Sequence, residues 1–196
     1  MKHILYLAAG SSRRFGENKL LYPVDGIPLY LHGLRTLISV CAARTDTALT
    51  VVTRSEEIAA ETRRLGASAI LSPKSEMGIS YTIRAGILAL GTLKSEDYLL
   101  FAVADQPYLS ADTVCALLDK ADEGVLCATA AFGEQVGNPT LFSAALAEEL
   151  CALEGDTGGR KILKRHAAEC AAVQCRDAVE FRDVDVREDA ESIRSE

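Results

Sequence analysis

The chain has 196 residues, 48% hydrophobic and 25% charged, with a formal net charge of −7. That length and apolar content suit a single α/β domain, residues 1–196, with a sizeable buried core, while the acidic balance argues against wholesale contact with nucleic acid or a membrane surface, both polyanionic. The run that follows Met1-Lys2-His3 is too short for a secretion signal or a membrane span, so the expectation is a cytoplasmic protein.

In chain order, the apolar run 3–9 reads as a first strand that stops at Gly10. A polar loop follows, carrying Arg13, Arg14 and Lys19 against one acid, Glu17. Three cations in seven positions at a strand end, in an acidic protein, suggest a place where an anion sits. Ala8, Ala9 and Gly10 are small enough for another group to approach the backbone, and Gly10 and Gly16 can turn successive N–H groups inward. Oxygens of a phosphate chain are the natural guest. The spacing is neither G-x-x-x-x-G-K nor G-x-G-x-x-G, so the loop taken by itself could also be a solvated basic turn.

Gly26-Ile27-Pro28 reads as a turn before a helix with Leu31, Leu34, Leu37, Ile38 and Cys41 on one face. Residues 48–53 form a buried strand, Ser55 caps a helix running to about Gly66, and 67–71 form a third strand closed by Ser72-Pro73. A helix opening at Gly78 offers N–H donors to carbonyl or phosphate oxygens, although Ser80 or Thr82 could simply cap it. Residues 98–104 are the clearest buried strand, and it ends in Asp105-Gln106-Pro107. A carboxylate at the carboxyl end of a central strand lies where open α/β sheets bind ligands, and Mg²⁺ in phosphate chemistry takes such a group; helix capping is the plainer alternative.

Further on come a helix at 113–121, a strand at 125–131, a tight Gly137-Asn138-Pro139 turn, and a helix from about Ala144 to Leu153. Gly155 to Lys161 is a glycine-rich helix entry with two cations close behind, suited to a second anion, with Asp156 also able to serve as the N-cap. Short strands at 171–175 and 179–181 precede an acidic cluster at 183–189, which by itself reads as solvated surface. Six cysteines without a C-x-x-C pair, and histidines 3, 32 and 166 without ligand spacing, read as reduced small hydrophobes and ordinary structural or exposed groups. Alternating strands and helices make a parallel sheet with helices on both faces the expectation.

Six segments also resemble, in order, the signatures of the molybdenum cofactor cytidylyltransferases. Leu7-Ala8-Ala9-Gly10-x-Ser12-x-Arg14-Phe15-Gly16-x-x-Lys19 is similar to LAAGxSxRMGxxK, with Phe15 for Met. Gly78 to Gly86 resembles GMxxSLRAGL, with Thr82 for Ser and Arg84 retained, and Ala104-Asp105-Gln106-Pro107 resembles ADQP. Gly137 to Phe142 resembles G-[HN]-P-x-x-F, Gly155 to Arg160 resembles GDxGAR with Gly159 for Ala, and Asp183 to Asp189 resembles DIDTPEDL with Val186-Arg187 for Thr-Pro.

The resemblance implies a three-layer α/β/α sandwich with a Rossmann-like, mostly parallel sheet. It implies transfer of CMP from CTP to the terminal phosphate of molybdopterin, with release of pyrophosphate and a need for Mg²⁺. Arg14, Lys19 and Asp105 would be catalytic. Leu7, Ala8, Ala9, Gly10, Ser12, Arg14, Lys19, Gly78, Ser80 and Thr82 would bind the nucleotide. Asp105 and Asp185 would hold the metal, and Asn138, Pro139, Asp156 and Arg160 the acceptor. An apo-molybdoenzyme of the hydroxylase type is the implied recipient. Ala9, where guanylyl-transferring relatives have Gly, is similar to the CTP users. The alternatives are a GTP-dependent guanylyltransferase, a sugar-phosphate nucleotidyltransferase, or a nucleotide-binding accessory protein that delivers cofactor without catalysis.

Overall fold

The computed structural model describes residues 1–10 and 18–184. The opening apolar run is β1 (Lys2–Ala8), whose side chains alternate between two faces: Ile4, Tyr6 and Ala8 enter one core, Leu5 and Leu7 the other. Burial on both faces is why this strand reads as continuously apolar. The stretch predicted as a turn at 26–28 is one arm of a small hairpin, β2 (Pro23–Val24) with β3 (Ile27–Pro28), which bends through Asp25 and Gly26 at positive φ. Pro28, unable to donate, then stands at the N-cap position of α1 (Leu29–Ala42), whose Leu31, Leu34 and Leu37 are buried as their spacing predicts.

Next come β4 (Thr47–Thr53) and α2 (Glu56–Arg64), where the Ser55 hydroxyl accepts the Ile58 N–H at 3.4 Å as the N-cap. β5 (Ser68–Leu71), α3 (Ile79–Ala89) and β6 (Tyr98–Val103) complete the first half. α4 (Ala111–Asp122) is capped by Ser110, whose hydroxyl accepts the Thr113 N–H at 3.1 Å. β7 (Cys127–Phe132), β8 (Gln135–Ser143), α5 (Ala147–Cys151), α6 (Arg160–Arg165) and β9 (Cys170–Gln174) follow.

Three expectations change here. The Gly137-Asn138-Pro139 turn lies inside β8 with a cis Asn138–Pro139 bond, and the ladder slips opposite it, from Thr129↔Thr140 to Ala130↔Gly137. Pro139 has no N–H to give a neighbouring strand, so the pairing skips it. The helix expected over 144–153 divides into a 3₁₀ turn, Ala144–Leu146, and the short α5. The strand expected at 179–181 is a 3₁₀ turn, Ala178–Phe181, because the Asp177 carboxylate accepts the Val179 N–H at 2.9 Å and starts a turn there.

The sheet has the order β5-β4-β1-β6-β8-β7-β9, with β8 antiparallel to both of its neighbours and the other pairings parallel. It is the mostly parallel α/β sheet with helices on both faces that the alternation of elements predicts. From β1 the chain runs outward through β4 and β5, then returns to place β6 on the other side of β1. The order therefore reverses between β1 and β6, and at such a switch point the connections leave in opposite directions and open a crevice at the carboxyl ends. The Ala104 N–H donates to the Leu7 carbonyl at 3.1 Å, which fixes the two strand ends side by side.

Candidate active site

At those strand ends lies a cavity of about 170 Å³ lined by Leu7, Ala9 and Gly10 from the end of β1, by Lys19, and by Ala104 and Asp105 from the end of β6. Gly78, Ile79 and Thr82 close it from the start of α3. Thus Gly10, Lys19, the helix start and the aspartate at the strand end, separated by up to about a hundred residues, line one cavity. Ser12, Arg14 and Asp185 lie outside the described residues.

Lys19 is placed by a 3₁₀ turn, Lys19–Leu21, whose N-cap Asn18 accepts the Leu20 N–H at 3.2 Å. Its ammonium donates to Asp105 Oδ2 at 2.9 Å. Lys19 is 7% exposed, so this charge pair is largely shielded from bulk water and strengthened by it. Behind it Tyr6 is buried, its hydroxyl donating to the Tyr30 carbonyl at 2.9 Å. Burial first, then the negative charge of Asp105, pushes the Tyr6 phenol far above its ordinary range, so it remains a neutral donor. Gly33 makes room for that ring, since a Cβ there would fall 2.6 Å from the Tyr6 oxygen.

Gly78 has φ +132°, and a Cβ on it would meet the Gly155 carbonyl carbon and oxygen at 2.3 Å. The loop carrying Gly155 and Asp156 is thereby seated on the start of α3, where the Ser80 N–H donates to the Gly155 carbonyl at 3.2 Å. One consequence concerns Asp156, expected with the acceptor: it lines the first cavity beside Ser75 and Glu76. Nor is it the cap of α6, a position held by Gly159. Another concerns Ser80, whose side chain is fully buried, off the cavity wall, with no hydrogen-bond partner among the described residues. Ala8 likewise packs into the core, because alternation along β1 turns it from the cavity that Leu7 and Ala9 line.

A second cavity, about 240 Å³, is lined by Asn138, Arg160, Gln106, Asp183 and Phe181 among others. Of the four residues expected at the acceptor, Asn138 and Arg160 line this cavity; Pro139 is not part of its wall and Asp156 is on the other side. Gln106, which adjoins Asp105 and which the sequence does not single out, lines the cavity as well. The turn after β6 is in fact a partition, with Asp105 lining the first cavity and Gln106 the second. The chain near its carboxyl end is clipped along this partition. The Val184 N–H donates to the Asp105 carbonyl at 2.9 Å, Gln106 Nε2 to Asp183 Oδ1 at 2.8 Å, and Ser110 Oγ to the buried Glu180 carboxylate at 2.9 Å.

Arg84, part of the segment resembling the nucleotide-side signature, is not on the first cavity. Its guanidinium donates to the Cys151 and Leu153 carbonyls, each at 2.8 Å, and lies 5.4 Å from the Tyr81 ring centroid. It ties α3 to the end of α5. No helix among the described residues is long and apolar enough to cross a membrane.

A phosphate-bound divalent cation takes one or two carboxylates, with phosphate oxygens and water completing its shell. Among the described residues no group of three or more acids, histidines or cysteines could hold a metal. Asp105, its side chain 29% exposed on the cavity, is a carboxylate that such a cation could take as one ligand. That donor set fits a cation that shares its ligands with a phosphate.

A family profile described as the MobA-like NTP transferase domain matches residues 4–170. The chain belongs to that family and is a nucleotidyltransferase. Among characterised relatives it is 31% identical to the purine catabolism protein PucB of Bacillus subtilis (strain 168), the match covering 97% of this chain and 94% of PucB. Its fold is shared by a nucleotidyl transferase of Methanothermobacter (Mth528), with a TM-score of 0.78 at 21% identity over 100% and 96% of the two chains. It is shared too by Rv0371c of Mycobacterium tuberculosis H37Rv, solved also as a manganese complex; that complex gives a TM-score of 0.71 at 19% identity, covering 100% of this chain and 98% of Rv0371c.

Proposed function

We propose that the protein transfers a cytidylyl group from CTP to the terminal phosphate of molybdopterin, releasing pyrophosphate, with Mg²⁺ as the divalent cation. The observation that carries this reading is the pair of cavities separated by the Asp105-Gln106 turn, one holding Lys19 and the other Arg160. Two polyanions set on either side of a single turn are brought within reach of each other, and positioning with charge neutralisation accounts for most of phosphoryl-type catalysis.

The nucleotide occupies the first cavity, its phosphates toward Gly10 and Lys19. Lys19 and Arg14 take up charge developing on the leaving pyrophosphate. Asp105 and Asp185 would hold the cation, which when bound would neutralise phosphate oxygens and so lower the repulsion between donor and acceptor. The manganese complex of Rv0371c is in keeping with a divalent ion in this fold. In the second cavity Arg160 and Asn138 receive the acceptor. Its phosphate is already ionised near neutral pH, so the site needs no general base. Asp156, beside Glu76 and Ser75, faces the donor rather than the acceptor and, being acidic, suits the hydroxyl- and amino-bearing part of the nucleotide.

Ala9 on the first cavity leaves less room by the base than Gly would, which favours CTP over GTP. A relative named for purine catabolism is consistent with delivery of the product to a hydroxylase-type molybdoenzyme in the cytoplasm. The test is pyrophosphate release with each of the four ribonucleotides, with molybdenum cofactor, with a sugar phosphate in its place, and with neither. CTP with cofactor is expected to give turnover. Turnover with GTP reassigns the base, turnover with a sugar phosphate reassigns the acceptor, and binding without turnover leaves an accessory role. In parallel, CTP with Mg²⁺ should raise the melting temperature more than GTP with Mg²⁺; the reverse order would overturn the assignment from Ala9.

A further inference from the structure

Lys19 and a divalent cation have the same claim on Asp105. The ammonium stands 2.9 Å from Asp105 Oδ2, on the wall of the cavity where the carboxylate would coordinate a metal. A dication on that carboxylate would sit within a few ångströms of the ammonium, and like charges so close repel strongly where water is partly excluded. Lys19 is 7% exposed and is held by the capped 3₁₀ turn at its own position, so retreat into solvent is costly for its buried stem. A triphosphate changes the balance. It brings oxygens that can accept from the ammonium and share the cation, giving each positive charge its own partner.

We propose that Lys19 acts as the counterion of Asp105 that a divalent cation must displace, so that the cation binds together with the nucleotide and only weakly before it. The inference rests on the reading of Asp105 as a cation ligand. It assigns Lys19 a function opposite in sign to its contact with phosphate: it lowers the affinity of the site for the metal taken alone. The benefit is a site that does not fill with a cation lacking its triphosphate.

The experiment is Mn²⁺ binding, followed by electron paramagnetic resonance titration of the full chain, with and without CTP. Wild type is compared with Lys19→Met, which keeps the apolar stem and removes the charge, with Lys19→Arg, which keeps the charge, and with Asp105→Asn; melting curves check that each variant folds. Without nucleotide, Lys19→Met should bind Mn²⁺ about tenfold or more tightly than wild type, the scale of removing one close like charge. Lys19→Arg should remain weak, and adding CTP should tighten Mn²⁺ binding in wild type through Asp105. If Lys19→Met binds Mn²⁺ no better than wild type while wild type still takes up Mn²⁺ with CTP in an Asp105-dependent way, the competition is overturned and the cation site stands. If Mn²⁺ uptake is indifferent to Asp105→Asn with CTP present, the reading of Asp105 fails and the competition falls with it.

Discussion

Two glycines that look alike in the sequence do different work. A Cβ on Gly78 would collide with the Gly155 carbonyl at 2.3 Å on a backbone already at φ +132°. Gly78→Ala should therefore cost stability, about 1–3 kcal/mol for a strained backbone that must also shift a neighbour, measured by denaturant unfolding. Wild-type stability would mean that the Gly155-Asp156 loop is not seated on α3. Among the described residues a Cβ on Gly10 would meet nothing within 4 Å, but Gly10 lines the first cavity. Gly10→Ala should thus melt as wild type does and bind CTP about 1–3 kcal/mol more weakly, the cost of crowding a methyl into occupied space. Calorimetric titration decides it, and unchanged affinity would remove Gly10 from the binding surface. Lys19 and Asp105 are readable as candidate site residues from their residue types and positions, and both line the first cavity. Their direct contact is not readable, because 86 residues separate them and the contact is made by topology.

At the scale of elements, local chemistry predicted the helices well where a cap was visible, as at Ser55, and less well where a tertiary partner decided the outcome. Glu180 is such a case: it is buried against Ser110, and nothing in the few residues around it announces that partner. The β8 segment is another, since a Gly-Asn-Pro triplet specifies a break in pairing but not whether the strand continues beyond it. Arg84 gives the sharpest test of placement. Because it serves the Cys151 and Leu153 carbonyls, Arg84→Met should lower unfolding free energy by about 1.5–3 kcal/mol, the range for charged hydrogen bonds, and leave CTP affinity nearly unchanged. A large loss of affinity with normal stability would put Arg84 back at the nucleotide.

Across the whole molecule, the parallel sheet followed from alternating elements, and the site followed from where its order reverses. The division into two cavities could not be read from the chain, because it depends on adjacent residues, Asp105 and Gln106, lining opposite sides of one turn. At the far end of β1 a charge cluster joins three elements: the Lys2 ammonium lies 2.9 Å from Asp46, just before β4, and 2.8 Å from Asp122, the last residue of α4. Lys2 holds the Asp46 carboxyl down at about 2, whereas in the unfolded chain it titrates near about 3.9. Folding therefore favours the ionised form; this contribution is complete above about pH 4 and lost as pH falls toward about 2. Lys2→Met should flatten the fall of stability across that interval, and an unchanged slope in acid unfolding would contradict the pairing.

The central claim is that catalysis happens where Lys19 meets the end of β6, and that Asp105 is the residue on which it turns. Pyrophosphate release by Asp105→Asn, measured beside wild type under saturating substrates, tests it most directly. A loss of at least about 10²-fold in rate, with the fold retained, is the predicted result. Release at the wild-type rate would contradict the account.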